Sequence, residues 1–145
     1  MCNKEGVGLT EIRAVMIVPS TKTLPKKLFI KEGYSIVLLN APEDYETRLA
    51  PLPRGVSVHD GLDGLHDLIH LFVANREQLE GELPPLIDHL KDDGWLWVSY
   101  PKGSSKVKTD INRDSIWEYA VGLGLKAVHQ MSVDEIWSAI RFRME

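Results

Sequence analysis

Residues 67–101, DLIHLFVANREQLEGELPPLIDHLKDDGWLWVSYP, decide the fold class. The run Leu68–Ala74 is almost wholly apolar and rich in β-formers apart from His70. A strand of that kind is buried on both faces of its sheet, as parallel strands are. Asn75 follows, and its side-chain oxygen can accept from an orphan backbone N–H at a helix start. Leu79, Leu83, Leu86, Ile87 and Leu90 then recur at helical spacing and form one apolar stripe. The pattern predicts that Asp93-Gly94 closes this helix, with the glycine in a left-handed cap. Trp95–Tyr100 then starts a second strand. Strand, crossover helix and strand make a right-handed βαβ unit, with ligand-facing loops at the strand carboxyl ends.

The flanking segments repeat this alternation. Thr23 is placed to cap a helix that has Pro25 just inside its start and ends before Gly33, with Leu24, Leu28 and Phe29 on one face. Tyr34–Asn40 (YSIVLLN) reads as a buried strand, and Pro42 opens a helix to about Ala50 with Tyr45 and Leu49 inward. Pro51, Pro53 and Gly55 interrupt the chain before Val56–Asp60 (VSVHD), which alternates like a strand near a sheet edge. After Tyr100 comes the polar loop PKGSSKVKTD, then a helix from Asp110–Asn112 that buries Ile116, Trp117, Ala120 and Val121. Leu125–Met131 and Ile136–Phe142 are strands whose short connection cannot cross over, so they pair antiparallel. Ile12–Val18 (IRAVMIV) fits either a strand or a short helix, and residues 1–10 read as a flexible lead-in.

The totals bound the class. A chain of 145 residues with 43% hydrophobic and 26% charged residues is expected to form a single soluble domain. The net charge of −4 points away from a nucleic-acid partner. Cys2 is the single cysteine, so no internal disulfide forms, as in a cytoplasmic protein. No run is long enough to span a bilayer, and the first residues carry no signal-peptide core.

The order of elements, parallel strands alternating with helices and ending in an antiparallel pair, is similar to the class I methyltransferase variant of the Rossmann fold. The segment DLIHLFVA…LIDHLKDDGWLWVSY resembles that fold's fourth strand, following helix and fifth strand. The strings VLLNAPEDYE, LFVANREQLE, WVSYPKGSSKVKTDINRD and WSAIRFR resemble a family of small bacterial proteins catalogued only as a domain of unknown function. The resemblance covers roughly Leu24 to Arg143. The likeness to the methyltransferase fold implies the sheet order Val56–Asp60, Tyr34–Asn40, Leu68–Ala74, Trp95–Tyr100, Ile136–Phe142, Leu125–Met131. One departure stands out. Methyltransferases place a glycine-rich turn after the first strand, against the carboxypropyl part of S-adenosylmethionine. Here the turn is Asn40-Ala41-Pro42-Glu43-Asp44, with no glycine and one fewer N–H. Asp60 does end the second strand, where the resemblance implies an acidic grip on ribose hydroxyls.

Candidate site residues follow from the strand exits. Asn40, Asn75, Ser99 and Tyr100 end three neighbouring strands and are expected to converge on one crevice; Asn40 and Asn75 equally serve as helix caps. Lys102, Ser104, Ser105 and Lys106 form a loop at the carboxyl end of a central strand, able to hold phosphate or carboxylate. It is not a phosphate-binding P-loop, since GSSK lacks the required order. His66 and His70 are four apart, which would pair them on a helix, but His70 lies in a predicted strand, so no metal site is expected; no acid–base pair or nucleophile elbow is visible. The expected function is therefore binding without catalysis, of a small anionic metabolite, a nucleotide or a protein partner at the strand rim. The alternatives are a divergent S-adenosylmethionine-dependent methyltransferase and a self-associating, homo-oligomeric interaction module.

Overall fold

The computed structural model describes residues 24–102 and 109–144. Its elements in chain order are α1 (Leu24–Lys27), β1 (Ser35–Leu39), α2 (Tyr45–Arg48), β2 (Ser57–His59), β3 (His66–Phe72), α3 (Arg76–Leu86), β4 (Leu90–Pro101), α4 (Arg113–Gly122), β5 (Leu125–Ser132) and β6 (Trp137–Met144). The expected segments at residues 12–18, the cap at Thr23 and most of the 102–108 loop lie outside the described residues.

The six strands form one sheet in the order β2-β1-β3-β4-β6-β5, as anticipated. The pairs β1–β2, β1–β3 and β3–β4 are parallel; β4–β6 and β5–β6 are antiparallel. Side chains alternate across the sheet and feed two cores. On one face, Ile69, Leu71, Leu96, Val98, Ile140 and Phe142 meet Leu79, Leu83 and Leu86 of α3 and Ile116 and Ala120 of α4. On the other, Leu68, Phe72, Trp97 and Ala139 meet Leu28, Tyr45 and Leu49. Every residue of β3 except Asp67 is buried, as an apolar run without alternation requires.

Helix starts follow the expected chemistry. Asn75 accepts from the Gln78 amide at 2.8 Å, and Asn112 with Ser115 forms a reciprocal capping box. The helices α1 and α2 are shorter than the spacing predicted, one turn each. Phe29 leaves α1 with φ 59, which ends the helix, and residues 42–44 form a turn before α2.

The end of α3 corrects the sequence reading. The helix stops at Leu86, a 3₁₀ turn covers Ile87–His89, and β4 already begins at Leu90. Two prolines, Pro84 and Pro85, explain the early stop, because each removes a backbone donor. The Tyr119 hydroxyl donates to the Glu80 carbonyl (3.4 Å), the group that Pro84 leaves without its i+4 donor. The Lys91–Gly94 stretch is a bulge: His66 pairs with Leu90, yet Leu68 pairs with Trp95. Gly94 is needed there for space and not for a left-handed turn. A Cβ on it would sit 3.0 Å from the Leu90 side chain and 3.0 Å from the Lys91 carbonyl.

Replacing Asn75 by alanine removes the α3 cap and should lower the unfolding free energy by about 1 kcal/mol. Urea denaturation reads this as a lower midpoint at unchanged slope. An unaltered midpoint would show that the cap contributes nothing.

Candidate functional site

Parallel strands end together, and the loops after β1 and β2 enclose a cleft of about 730 Å³. Leu38, Leu39, Ala41, Pro42 and Val58 supply its apolar surface. Its polar groups are Asn40, Glu43, Glu46, His59, Asp60 and Asp63. Four carboxylates and no lysine or arginine line it, so its potential is negative. That sign disfavours a small anion and favours cationic or hydroxyl-rich groups.

Asn40 shapes the entry to this cleft. Its backbone takes φ 60, the left-handed region that glycine usually fills and that asparagine tolerates best among other residues. Its side-chain amide donates to the Phe72 carbonyl (3.3 Å) and to Glu82 Oε1 (2.8 Å). One residue thus ties the end of β1 to β3 and α3. The glycine-free turn still makes a sharp exit, with the strain carried by Asn40.

The remaining candidates do not share this cleft. Tyr100 and Lys102 line a second one of about 420 Å³, with Ile111, Arg113, Asp114, Gln130 and Ser138. The Tyr100 hydroxyl accepts from Gln130 Nε2 (3.1 Å), and burial raises its pKa above the ordinary phenol value. Lys102 Nζ donates to Ser132 Oγ at 2.6 Å. Asn75 and Ser99 line neither cleft. Ser104, Ser105 and Lys106 lie outside the described residues. The expected single crevice is therefore two clefts, because β4 extends to Pro101 and its exit faces the β5–β6 pair.

Ser99 belongs instead to a buried polar group that the sequence did not announce. Its hydroxyl lies 2.6 Å from His70 Nε2, and the Tyr45 hydroxyl lies 3.4 Å from His70 Nδ1. All three residues are fully buried, and His70 stacks on Phe72 with centroids 4.3 Å apart. Burial pushes the His70 pKa down to about 3 and raises that of Tyr45. The imidazole is thus neutral and bonded on both ring nitrogens. Full burial keeps Ser99 from acting as a nucleophile, so this trio packs the core and leaves no polar atom of His70 unpaired.

Sequence reasoning located Asn40 and Asp60 but missed Glu46, His59 and Asp63 as cleft residues. Their signal was positional: each flanks the carboxyl end of β1 or β2, where a parallel sheet gathers its loops. Among the described residues, no three His, Cys, Asp or Glu side chains are grouped to hold a metal ion. No described helix is long and apolar enough to cross a membrane.

No family model and no curated protein matches this chain. Solved structures do. The ribosomal protein L11 methylase of Lactobacillus delbrueckii subsp. bulgaricus matches with TM-score 0.53 at 13% identity, over 93% of this chain and 86% of that one. A putative methyltransferase of Thermoplasma acidophilum matches with TM-score 0.54 at 6% identity, over 89% and 77% of the two chains. The precorrin-6y C5,15-methyltransferase of Geobacter metallireducens matches with TM-score 0.51 at 10% identity, over 88% and 94%. The fold is the methyltransferase variant of the Rossmann fold.

The buried histidine has a consequence for acid stability. Its folded pKa of about 3 lies below the ordinary value of 6.5, so below pH 6.5 the unfolded chain takes up a proton that the folded chain refuses. Stability from this group is complete above 6.5 and falls toward pH 3, by about 1.4 kcal/mol per pH unit at most. Urea titrations between about pH 6 and pH 4 should show a smaller loss in His70→Gln than in the wild type, by roughly 1 kcal/mol per unit. Parallel pH profiles would show that His70 is not the group responsible.

Proposed function

We propose that the chain binds a nucleoside cofactor of the S-adenosylmethionine type in the cleft beyond β1 and β2, and works as a divergent methyltransferase. One observation carries this: Asp60 and three other carboxylates line that cleft without an opposing lysine or arginine. Two vicinal ribose hydroxyls suit Asp60, which can accept from both. Leu38, Leu39 and Val58 suit a flat base. Glu43 and Glu46 suit a ligand with a sulfonium and an ammonium group, since opposite charges attract most where water is partly excluded. The volume falls within the roughly 300–1,000 Å³ of small-molecule sites. When bound, the cofactor supplies an activated methyl group. The chain's own part is to hold the nucleoside and to offset positive charge.

The fit is weakest at the cofactor's carboxylate. No cation lines the cleft, and Pro42 removes an N–H that a glycine-rich turn would offer. Affinity is therefore expected to be modest. A non-catalytic anion binder is the second reading, and it draws on the smaller cleft, where Lys102 and Arg113 are both present beside Asp114.

Thermal unfolding with S-adenosylmethionine, S-adenosylhomocysteine and ATP separates the two. At 100 times its dissociation constant a ligand adds about 2.7 kcal/mol, which raises the midpoint by roughly 5 °C. Both sulfur ligands are expected to give this shift, and Asp60→Asn to weaken them about tenfold or more. A shift with ATP alone, abolished by Arg113→Ala and untouched by Asp60→Asn, would transfer the function to the smaller cleft.

A further inference from the structure

Arg141 of β6 is clamped between two aromatic rings. Its guanidinium carbon lies 3.4 Å from the Trp95 ring centroid and 4.1 Å from that of Phe29. Its Nε is buried without a hydrogen-bond partner. Among the described residues no carboxylate comes within salt-bridge distance of it. Burial lowers its pKa. A stacked guanidinium is well held, and its planar fork of donors, which faces no carboxylate among the described residues, is the shape that binds a carboxylate or phosphate.

The clamp sits in a basic surface. Cross-strand register places Trp97, Arg141 and His129 in one row, on β4, β6 and β5. Lys126 pairs with Arg143 in the neighbouring row. Residues opposite one another in register project from the same face. Ring contacts agree: His129 meets both Phe29 (5.9 Å) and Trp97 (6.3 Å) edge-on. Lys126, His129, Phe29 and Arg143 are exposed. The helix α4 backs β5 on the opposite face, through Ile116, Ala120 and Leu125. The surface also lies at the far end of the sheet from the acidic cleft. It lies on β6 and β5 beside the middle of β4, where Arg141 pairs with Trp97, whereas the cleft lies beyond the carboxyl ends of β1 and β2.

We infer that this face is a docking surface for a single-stranded nucleic acid, with Arg141 gripping a phosphate and Arg143 and Lys126 following the backbone. Residues two apart on a strand are about 7 Å apart and adjacent strands about 4.8 Å apart, so the cations form a strip and not a single point. A strip suits a polyanion better than an isolated phosphate. The partly exposed Trp95 and the exposed Phe29 add ring surface on which bases stack, which an acidic peptide would not use. The overall charge of −4 makes the contrast local: four carboxylates line the cleft at the other end of the sheet, while Lys126, Arg141 and Arg143 share this face. Asp92 and Asp93, exposed at the start of β4, bound the strip on one side. The surface is independent of the cofactor proposal, and either can fail alone.

The test is fluorescence anisotropy of a labelled twelve-nucleotide oligouridylate with the full chain, at about 50 mM and 200 mM salt. Binding should weaken at least tenfold across that range, and the double variant Lys126→Glu with Arg143→Glu should weaken it at least tenfold at low salt. Both substitutions are at exposed positions, so circular dichroism should be unchanged. Arg141→Lys, which keeps the charge and loses the planar fork, should also weaken binding several-fold. No binding by the wild type, equal binding by the double variant, or equal affinity for a polyglutamate peptide of matched charge would overturn the assignment.

Discussion

A strand with core on both faces must be covered twice, and β3 imposes that requirement on the whole molecule. Its neighbours run parallel to it, so the chain must cross over between them, and α3 is the cover on one side. The opposite side is closed by less regular means. Leu28, Tyr45 and Leu49, in or just past two single-turn helices, fill it together with Trp97, whose indole N–H donates to the Leu28 carbonyl (3.1 Å). The polar trio of Tyr45, His70 and Ser99 sits in the same layer. Parallel strands also bring their exits to one rim, and the cleft beyond β1 and β2 follows from that.

Charge divides the molecule along its sheet. Carboxylates collect at the exits of β1 and β2, and cations collect at the other end, on β5 and β6. The cations share a face through strand register, and the carboxylates gather because the parallel strands β1 and β2 exit side by side. Neither can be seen in the net charge of −4, which averages over them. The two surfaces accordingly favour ligands of opposite sign, and none of the three cations of the strip lines the cleft.

The strand order was legible through the resemblance to the methyltransferase variant of the Rossmann fold; the apolar runs at Tyr34–Asn40 and Leu68–Ala74 marked the buried strands, and Ser132–Glu135, too short to cross over, set the antiparallel pair. The end of α3 was not. Leu90 continues the helical stripe by spacing, but tertiary pairing with His66 takes it into β4. The same bulge made Gly94 look like a cap, when its small size is what matters. Asp60 was legible from its place at a strand end. The clamp around Arg141 was not, because Phe29, Trp95 and Arg141 are distant in sequence and meet only through strand pairing and the reversal at Phe29.

The two outer strands differ in kind, and both resist extension. The strand β2 is three residues long and offers few free backbone groups to a newcomer. The strand β5 is longer, but its register breaks between Ala127 and His129, and it carries Lys126 and His129 outward. A broken, charged margin is a poor template for another β-strand. Margins of this kind disfavour growth of the sheet from one copy into the next, so the described edges are poorer places for strand addition than the strand exits or the sheet faces are for other contacts.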